Sequence, residues 1–572
     1  MIKNFSDAPN QGIYGKEPLN EVEVVKTIKE MLERSFSKYA ENVAYLVKDD
    51  LKAPYREIKY KEVEKDVYAF ATYLISKGFK DKNIAIIGEN SYEWEMSYLS
   101  IVAGTGTVVP IDKELPPAEI QALLDRAKVS LIICSKKIYT KNQEFFDGLS
   151  IEKICMADIR ECIKEGLALR EEGHREFDDA KVKEDDVNII MFTSGTTGVS
   201  KGVMLSHKNI ASNLVNMNAM MNIKESDRFF SLLPLHHSYE GTCGFLCPLY
   251  RGSSIAFCQG LKYIQKNMQE AQPTLCLAVP LIVESMYDKI MKTIKKEGKE
   301  KLIKTAIKVS DSLLKVNIDI RDKVFKQVRD ALGGKLRIFI SGGAPGNTDA
   351  LKFFRSMGMY AIQGYGLTET APIVAVNRLS KFDDFAAGLP VPETEVRIDN
   401  PNEKGIGEIV VKGDNVMVGY YENEEATKEV LKDGWYYTGD LGYLKDGFIY
   451  ITGRKKDVII TKNGENVFPE SVEKYLNESP YIKECMVYAE KDEKGNDTVV
   501  AALVVPEYDE IYKKFGESVK EDEVKALIDG EIKTINTTMP LAQAVKQFTI
   551  RNEALIRTTT QKIKRFANMP QK

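Results

Sequence analysis

The chain has 572 residues, and this length predicts about two to four domains, because a single hydrophobic core stops growing well before that size. Its composition, with 43% hydrophobic residues, 29% charged residues and a net charge of −4, is typical of a folded globular protein and excludes extensive disorder. The mild negative charge argues against a nucleic-acid-binding protein, which needs a basic face.

The N-terminus, MIKNFSDAPNQG, lacks the apolar core of a secretory signal, and no apolar run reaches the ~18 residues that a membrane-spanning helix needs. The eight cysteines are scattered, which predicts a reduced, cytoplasmic protein rather than a disulfide framework. Cys243 and Cys247 lie near His236 and His237 along the chain, but their spacing matches no zinc signature. We therefore predict no zinc site there.

Strand and helix patterns alternate in the first part of the chain. Short apolar runs predict strands, and segments with apolar residues at helical spacing predict helices. The predicted strands are residues 83–88, 107–111 and 130–135, and the predicted helices are residues 92–103 and 117–127. This alternation predicts an α/β fold with doubly wound parallel sheets covered by helices on both faces.

Lysine is concentrated in the segment 288–331, where apolar residues recur at helical spacing at Leu302, Ala306, Val309 and Leu313. The pattern predicts an amphipathic helical insertion. Two interpretations of its basic face are open: the face is simply solvated, or it contacts an anionic membrane surface from which an apolar substrate is taken.

The composition shifts again near Gly453, and short strands alternate with helices beyond it. The predicted elements are strands at residues 484–489 and 499–505 and helices at residues 469–477 and 521–535. They predict a small α+β domain, joined to the rest of the chain at GRKKD, residues 453–457. The predicted domains are therefore a large domain, residues 1–455, and a small domain, residues 456–572.

The stretch MFTSGTTGVSKGV, residues 191–203, combines hydroxyl groups, glycines and one lysine, as a phosphate-binding loop does. Strands are predicted before it at 187–192 and after it at 202–205, and Ser206 is predicted to cap a helix over 207–220. A Walker loop instead leads directly into a helix that faces the phosphates. Phosphate binding here would depend on loop N–H groups, hydroxyls and the charge of Lys201.

TSGTTGVSKG, residues 193–202, strongly resembles the phosphate loop of the adenylate-forming superfamily, which includes acyl-CoA synthetases, adenylation domains of peptide synthetases and firefly luciferases. Six further motifs follow in the family's order: SGGAP, YGLTET, GEIVVKG, YTGD, GRKKD and TTTQKIKR. Within the superfamily the chain is most similar to long- and medium-chain fatty acyl-CoA synthetases. That similarity lies in LPLHHSYE, residues 233–240, and in the helical stretch before GGKLRIFISGGAP.

The resemblance implies an enzyme that uses ATP to convert a carboxylic acid into an acyl-adenylate and pyrophosphate, and then transfers the acyl group to CoA. It implies that Glu369 binds Mg²⁺, with Thr193 as a second contributor, and that Asp440 binds both ribose hydroxyls. The residues that it implies for ATP or AMP binding are Thr193, Ser194, Gly195, Thr196, Thr197, Gly198, Lys201, Gly342, Gly343, Ala344, Tyr365, Gly366, Thr368, Asp440 and Arg454.

The resemblance also implies a small domain that moves between the two half-reactions. Lys562 matches the lysine that bridges the substrate carboxylate and the α-phosphate, although the glycine that usually precedes it is Gln561 here. Lys456 matches the hinge on which the small domain rotates. Gly464 matches a loop that faces the pantetheine channel of CoA.

Two adjacent histidines occur in LPLHHSYE. His237 matches the family's histidine beside the acyl carboxylate, and His236 precedes it, so the sequence leaves open which of the two faces the substrate. With Lys562 and Glu369, His237 completes the catalytic residues that the resemblance implies.

The predicted substrate is a medium- or long-chain fatty acid, because an apolar tunnel gains about 0.8 kcal/mol for each buried CH₂ group. The alternatives are an aromatic or short-chain acid, and an acyl-carrier protein instead of CoA as the acceptor. A phosphate-releasing NTPase and a nucleotide-binding protein without catalysis are further alternatives. The predicted location is the cytoplasm, with contact at the inner face of the membrane as an option.

Overall fold

The computed structural model describes residues 13–14, 19–193, 200–461, 465–491, 498–558 and 562–570. Two compact units contain them. The first comprises Ile13–Val396 and Val411–Tyr436, and the second comprises Arg397–Val410 and Tyr437–Lys572. The predicted boundary between residues 455 and 456 stays a prediction.

A seven-stranded sheet in the first unit contains the predicted strands of the early chain. Its order is Gly419–Tyr420, Lys201–Ser206, Val187–Thr193, Thr107–Pro110, Asn83–Ile87, Leu131–Cys134 and Glu152–Cys155. The strands from Val187–Thr193 to Glu152–Cys155 are parallel, and the first two pair antiparallel. The prediction of a parallel sheet is confirmed.

A nine-stranded sheet forms the second layer of this unit. Its order is Leu389–Pro390, Ile373–Val376, Tyr360–Gly366, Ile338–Ser341, Leu275–Ala278, Arg228–Ser231, Ser254–Phe257, Val43–Val47 and Arg56–Lys59. The six strands from Tyr360–Gly366 to Val43–Val47 run parallel, and antiparallel pairs close both edges.

Helices cover these sheets, as predicted for a doubly wound fold. The α-helices of the first unit are Ile28–Lys38, Tyr60–Ser76, Tyr92–Val102, Pro117–Arg126, Lys136–Lys141, Gln143–Gly148, Ile159–Glu171, His207–Met220, Cys247–Arg251, Ile264–Ala271, Pro280–Lys296, Glu300–Leu314, Arg321–Val324, Lys326–Ala331, Thr348–Ser356 and Glu424–Val430. A π-helix spans Tyr239–Leu246. Short 3-10 helices span Met156–Asp158, Leu261–Tyr263 and Thr368–Thr370.

The helix His207–Met220 begins where the sequence predicts. The Ser206 hydroxyl accepts the N–H of Asn209 at 3.3 Å, and the Asn209 amide oxygen accepts the N–H of Ser206 at 2.8 Å. These two bonds satisfy N–H groups that the first turn of a helix leaves without partners. The Asn209 amide nitrogen also donates to the carbonyls of Asp414 and Val416, so the cap fixes the chain just before Gly419–Tyr420.

The predicted insertion over 288–331 is helical, but its packing differs from the predicted stripe. The helix Glu300–Leu314 packs on the core through Ile303, Ala306 and Ile307. Leu302 and Val309, which belong to the predicted stripe, lie at the surface. The reason is that the core-facing side is rotated by about one residue relative to the predicted stripe.

A further sheet has six strands. Its strands are Ile13–Tyr14, Glu395–Asp399, Gly407–Lys412, Trp435–Lys445 and Leu431–Lys432 in sheet order, with Phe448–Arg454 paired to Trp435–Lys445. Trp435–Lys445 and Phe448–Arg454 form an antiparallel hairpin whose register pairs Asp440 with Arg454.

The remaining second unit is α+β, as predicted. A three-stranded sheet contains Ile482–Lys491, Thr498–Pro506 and Gln547–Ile550, and a two-stranded sheet contains Ile459–Ile460 and Asn466–Val467. Its helices are Pro469–Leu476, Tyr508–Phe515, Glu521–Asn536, Arg565–Asn568 and the 3-10 turn Leu541–Gln543. In the described part of the chain, no helix combines the length and apolar character needed to span a bilayer.

Candidate active site

The two strands around the predicted phosphate loop form an antiparallel pair. The register pairs Thr193 with Lys201, so the last residue before the loop faces the lysine that follows it. The Thr193 hydroxyl donates to the carbonyl of Lys201 at 3.4 Å. The predicted strand-loop-strand arrangement is confirmed at both flanks. The predicted ligands Ser194, Gly195, Thr196, Thr197 and Gly198 lie outside the described residues.

Lys201, Tyr420 and Glu369 form a charged group beside the loop. The Lys201 ammonium lies over the Tyr420 ring, 4.8 Å from its centroid. The Tyr420 hydroxyl donates to Glu369 Oε1 at 3.0 Å. Burial and the nearby Glu369 charge raise the pKa of Tyr420, so the phenol keeps its proton and remains a donor. The phenol therefore links a cation from one motif to a carboxylate from another.

YGLTET positions Glu369 on a tight turn after Tyr360–Gly366. A side chain at Gly366 would place its Cβ 1.9 Å from the carbonyl oxygen of Pro372, so the close approach requires glycine. The Thr370 hydroxyl donates to that same carbonyl at 2.7 Å. The Thr368 hydroxyl accepts from Ser238 at 3.2 Å, which connects this turn to LPLHHSYE.

The two histidines of LPLHHSYE have adjacent rings, with centroids 4.3 Å apart. His236 Nε2 lies 3.5 Å from Asp112 Oδ2, and the His236 side chain is almost fully buried. Asp112 follows the parallel strand Thr107–Pro110, at the carboxyl edge of the seven-stranded sheet. This edge is where doubly wound folds bind ligands.

SGGAP follows the strand Ile338–Ser341 and contains the predicted adenine-contacting glycines. A Cβ at Gly342 would come within 3.0 Å of the Tyr239 ring, and the Tyr239 hydroxyl donates to the carbonyl of Ile340 at 3.1 Å. Gly343 has a φ of +89°, which favours glycine. Gly343 and Ala344 are exposed, whereas Tyr365 is half-buried on the neighbouring strand.

In the second unit, Asp440 and Arg454 form an ion pair. Arg454 Nε lies 2.9 Å from Asp440 Oδ1, across the hairpin that pairs the two residues. Asp440 is buried, and its own N–H donates to the Thr438 hydroxyl at 3.1 Å. Glu408 fixes the preceding residue by accepting the N–H of Gly439 at 3.1 Å. The carboxylate is thus held in one orientation by charge and backbone contacts.

Lys562 lies in a hairpin near the end of the chain. Backbone bonds join Thr558 N–H to the Lys562 carbonyl at 2.8 Å and Lys564 N–H to the Ile556 carbonyl at 2.9 Å. Lys562 is exposed, whereas Arg565, three residues later, is held 2.8 Å from Glu473. The hairpin is therefore anchored at its base. Residues 559–561, including Gln561, lie outside the described residues.

The predicted hinge residue Lys456 occupies an exposed turn. The Asp457 N–H donates to the carbonyl of Arg454 at 3.0 Å and closes the turn directly after the hairpin strand. Gly464, predicted at the CoA channel, lies outside the described residues.

Sequence reasoning missed Tyr420 and the direct pairing of Asp440 with Arg454. Tyr420 belongs to a two-residue strand, which is too short for any periodicity to mark it. The signal that could have found it is the apolar run VMVGYY close after GEIVVKG. In the described ranges, no group of three or more His, Cys, Asp and Glu side chains is arranged to bind a metal.

Comparison with known proteins identifies the same family as these motifs. The profile of the family "AMP-binding enzyme" matches residues 32–421. The chain is 30% identical over 508 residues to long-chain-fatty-acid–CoA ligase 5 of Rattus norvegicus, covering 81% of this chain and 74% of that protein. It is 27% identical over 629 residues to the chloroplastic long-chain-fatty-acid–[acyl-carrier-protein] ligase AEE15 of Arabidopsis thaliana, covering 94% and 85%.

Solved structures share the fold. The crystal structure of the anthranilate CoA ligase AuaEII in complex with anthranoyl-AMP superposes with a TM-score of 0.74 at 19% identity, covering 96% of this chain and 97% of that one. At this identity the likeness establishes the fold alone. Since the family profile matches more than half of the chain, the chain belongs to the AMP-binding enzyme family and is an adenylate-forming enzyme.

Proposed function

We propose that this enzyme activates a medium- or long-chain fatty acid with ATP and transfers the acyl group to CoA. In the first step a carboxylate oxygen attacks the α-phosphorus, and the bond to the bridging oxygen breaks as pyrophosphate leaves. In the second step the CoA sulfur attacks the acyl carbon, AMP leaves, and the thiol proton passes to solvent. The observation that carries the proposal is the Lys201–Tyr420–Glu369 group beside the phosphate loop.

That group meets the main electrostatic demand of the first step. An anion attacks an anion, so the site must supply positive charge and hold it in place. Lys201 supplies one charge directly beside the loop, and the Tyr420 ring limits the motion of its ammonium. We propose that Lys201 and the loop residues 193–198 hold the β- and γ-phosphates, the part that departs.

The donor set at Glu369 fits Mg²⁺. This ion prefers hard oxygen ligands and takes one or two carboxylates together with substrate phosphates. Tyr420 occupies one lone pair of Glu369, and a carboxylate offers about four, so the side chain retains capacity for a cation. We propose that Glu369 and Thr193 hold Mg²⁺, whose charge would offset the charge of the leaving pyrophosphate when bound.

We propose that the nucleoside is held by the remaining predicted residues. Asp440 would accept the ribose hydroxyls, and its buried, ion-paired carboxylate supports that role because its orientation is fixed. Arg454, already paired with Asp440, would lie near the ribose and phosphate. Tyr365 would contact adenine, together with the backbone of 342–344 and with Gly366 and Thr368 in the same turn.

We propose that Lys562 bridges the carboxylate and the α-phosphate, and that the second unit turns on Lys456 so that Gly464 then lies at the CoA channel. The contacts around it support this, since backbone bonds and the Arg565–Glu473 ion pair hold the segment that carries the exposed Lys562. We propose His237 as the histidine beside the acyl carboxylate.

A specific observation favours a second candidate for the thiol that accepts the acyl group. The Arabidopsis relative is named for an acyl-carrier protein, so that protein's phosphopantetheine thiol is a second candidate beside CoA. The test measures thioester formation with CoA and with holo-acyl-carrier protein, across aromatic, short, medium and long acids. We expect CoA thioesters of medium or long fatty acids. Exclusive use of the carrier protein, or of aromatic or short acids, would overturn the proposal.

Two matched variants make this test specific. Lys201→Ala removes the charge beside the loop, and we expect thioester formation to fall by about 10²–10³-fold. Lys224→Ala removes an exposed lysine of the same unit and should leave the rate unchanged.

We also propose peripheral contact with the inner face of a membrane, made through the basic insertion.

A further inference from the structure

Asn90 joins the two large sheets of the first unit. It follows the parallel strand Asn83–Ile87 of the seven-stranded sheet. Its amide nitrogen donates to the Ser231 hydroxyl at 2.9 Å, and Ser231 is the last residue of the strand Arg228–Ser231 in the nine-stranded sheet. Asn90 therefore bridges the carboxyl ends of one strand from each sheet, which is the edge where doubly wound folds bind ligands.

The same side chain holds the backbone of the segment 232–235, which leads into the two histidines. The Asn90 amide nitrogen donates to the carbonyl of Leu233 at 2.7 Å, and its amide oxygen accepts the N–H of Leu235 at 3.3 Å. Leu233 and Leu235 are buried, so their backbone groups need partners inside the protein. The segment has no regular secondary structure, so a side chain from the other sheet provides these partners instead.

The histidines directly follow this segment. The His237 N–H donates to the carbonyl of Pro234 at 3.1 Å, so a turn closes immediately after the residues that Asn90 holds. His236 Nε2 lies 3.5 Å from Asp112, which follows the neighbouring strand of the seven-stranded sheet. The motif LPLHHSYE therefore contacts the seven-stranded sheet at two points, through Asn90 and through Asp112.

A second side chain contacts the segment from within the motif itself. The carboxyl group of Glu240, on the π-helix after the histidines, faces the N–H groups of Leu232 and Leu233 and the Ser231 hydroxyl. Glu240 belongs to the same stretch of chain as the histidines, so it cannot fix that stretch relative to the seven-stranded sheet. Asn90 supplies this connection.

We propose that Asn90 is a positioning residue for the fatty acid site: it holds the segment before His237 so that the imidazole lies at the acyl carboxylate. The inference rests on the role of His237 given under the proposed function. A displacement of about 1 Å near a reacting group can lower a rate by about 100-fold. Loss of the three hydrogen bonds that fix the adjoining backbone should therefore slow adenylation. Other contacts hold Thr193 and Glu369, so ATP binding should not depend on Asn90.

The test is a double-mutant cycle on fatty acid-dependent pyrophosphate exchange, with kcat and the KM values for ATP and for the acid measured for each protein. We expect Asn90→Ala to lower kcat/KM for the acid by about 10–100-fold and to change KM for ATP by less than about two-fold. In the His237→Ala background, Asn90→Ala should lower the remaining rate by less than about three-fold, because the histidine that it positions is gone.

A second variant keeps the test decisive where Asn90→Ala does not fold. Asn90→Asp keeps the volume of the side chain and the acceptor for the Leu235 N–H, and it loses both donated hydrogen bonds. The same cycle is then measured with Asn90→Asp, and the same loss of kcat/KM for the acid is expected.

The matched control is Asn20→Ala. Asn20 is also half-buried, and its amide nitrogen donates to the carbonyls of Asn218 and Met221, both at 3.1 Å, at the end of the helix His207–Met220. This variant should retain the kinetics of the unmodified protein. Equal loss of kcat/KM in Asn90→Ala and Asn20→Ala would overturn the inference, as would losses that multiply in the double variant, because the hydrogen bonds would then only stabilise the fold.

Failure of the proposed function gives a different result. An unmodified protein without acid-dependent exchange would refute the proposed reaction and the inference with it. Full activity in His237→Ala would refute the role of the histidine, and again the inference. An active enzyme that is sensitive to His237→Ala but not to Asn90→Ala would overturn the inference alone.

Discussion

The carboxyl group of Glu240 should make the stability of the protein depend on pH by a measurable amount. Glu240 lies on the π-helix Tyr239–Leu246 and is fully buried. Burial raises the pKa of Glu240 from 4.5 to about 8, although the Ser231 hydroxyl and the N–H groups of Leu232 and Leu233 oppose the rise. The folded protein therefore keeps a proton that the unfolded chain releases above its ordinary pKa.

The sign and size of the effect follow from this difference. Between pH ~4.5 and ~8 the folded state binds one more proton than the unfolded state, so stability falls as the pH rises. At about 1.4 kcal/mol per pH unit, the loss is about 3 kcal/mol by pH 7 and about 5 kcal/mol by pH 8, and it is constant above that. Glu240→Gln keeps the shape of the protonated acid and removes the titration.

The assay is urea unfolding of the unmodified protein and of the Glu240→Gln variant at pH 5 to 9. Tryptophan fluorescence monitors the unfolding. Trp94 and Trp435 are the two tryptophans and both belong to the first unit, so the signal reports the unit that contains Glu240. We expect the advantage of the variant to grow by about 4 kcal/mol from pH 5 to pH 8. The exposed control Glu21→Gln should parallel the unmodified protein. A difference that is constant across this pH range would refute the reasoning.

Three further outcomes are expected at the proposed active site. Lys562→Ala should lower carboxylate-dependent pyrophosphate exchange by about 10²–10³-fold and leave ATP binding intact; unchanged exchange would remove the lysine from the first step. Lys456→Pro should largely retain adenylation and block thioester formation, whereas equal loss of both in the two separate assays would contradict a hinge. Tyr420→Phe deletes a hydrogen bond to Glu369 and should raise the Mg²⁺ concentration for half-maximal activity by about 10-fold; an unchanged Mg²⁺ dependence would separate Tyr420 from metal binding.

Most strands and helices of the first unit can be predicted from the sequence, because short stretches of neighbouring residues determine them. Continuous apolar runs mark strands buried on both faces, and the Ser206 cap marks a helix start that the structure reproduces to the residue. The phosphate loop is recognisable because its hydroxyls, glycines and lysine are contiguous. Such features depend on residues a few positions apart.

Other parts of the site depend on contacts between distant residues. Tyr420 meets Glu369 across 51 positions of the chain, and its two-residue strand has no pattern of its own. The pairing of Asp440 with Arg454 depends on the register of a hairpin, which its turn fixes. Glu240 and the equally buried Glu95 lie 145 positions apart, and their charges interact. The residues around each of them in the sequence do not indicate that the carboxyl group is buried.

The insertion is helical, as predicted, but the face that it packs on the core differs from the predicted face. Four regularly spaced apolar residues predict one buried stripe. The structure instead packs the partly buried Ile303 and Ile307 against the core and exposes Leu302 and Val309, because the helix carries apolar residues on two adjacent faces. Periodicity alone cannot rank two apolar faces, so only the fold reveals which one is at the surface.

We infer above all that the enzyme breaks ATP at the α-phosphate in response to a fatty acid. The most direct measurement is release of pyrophosphate and AMP with fatty acids of increasing chain length, with and without CoA. We expect pyrophosphate release that requires the acid, with AMP release and an acyl thioester appearing when CoA is added. Release of phosphate and ADP, or nucleotide cleavage independent of the acid, would contradict it.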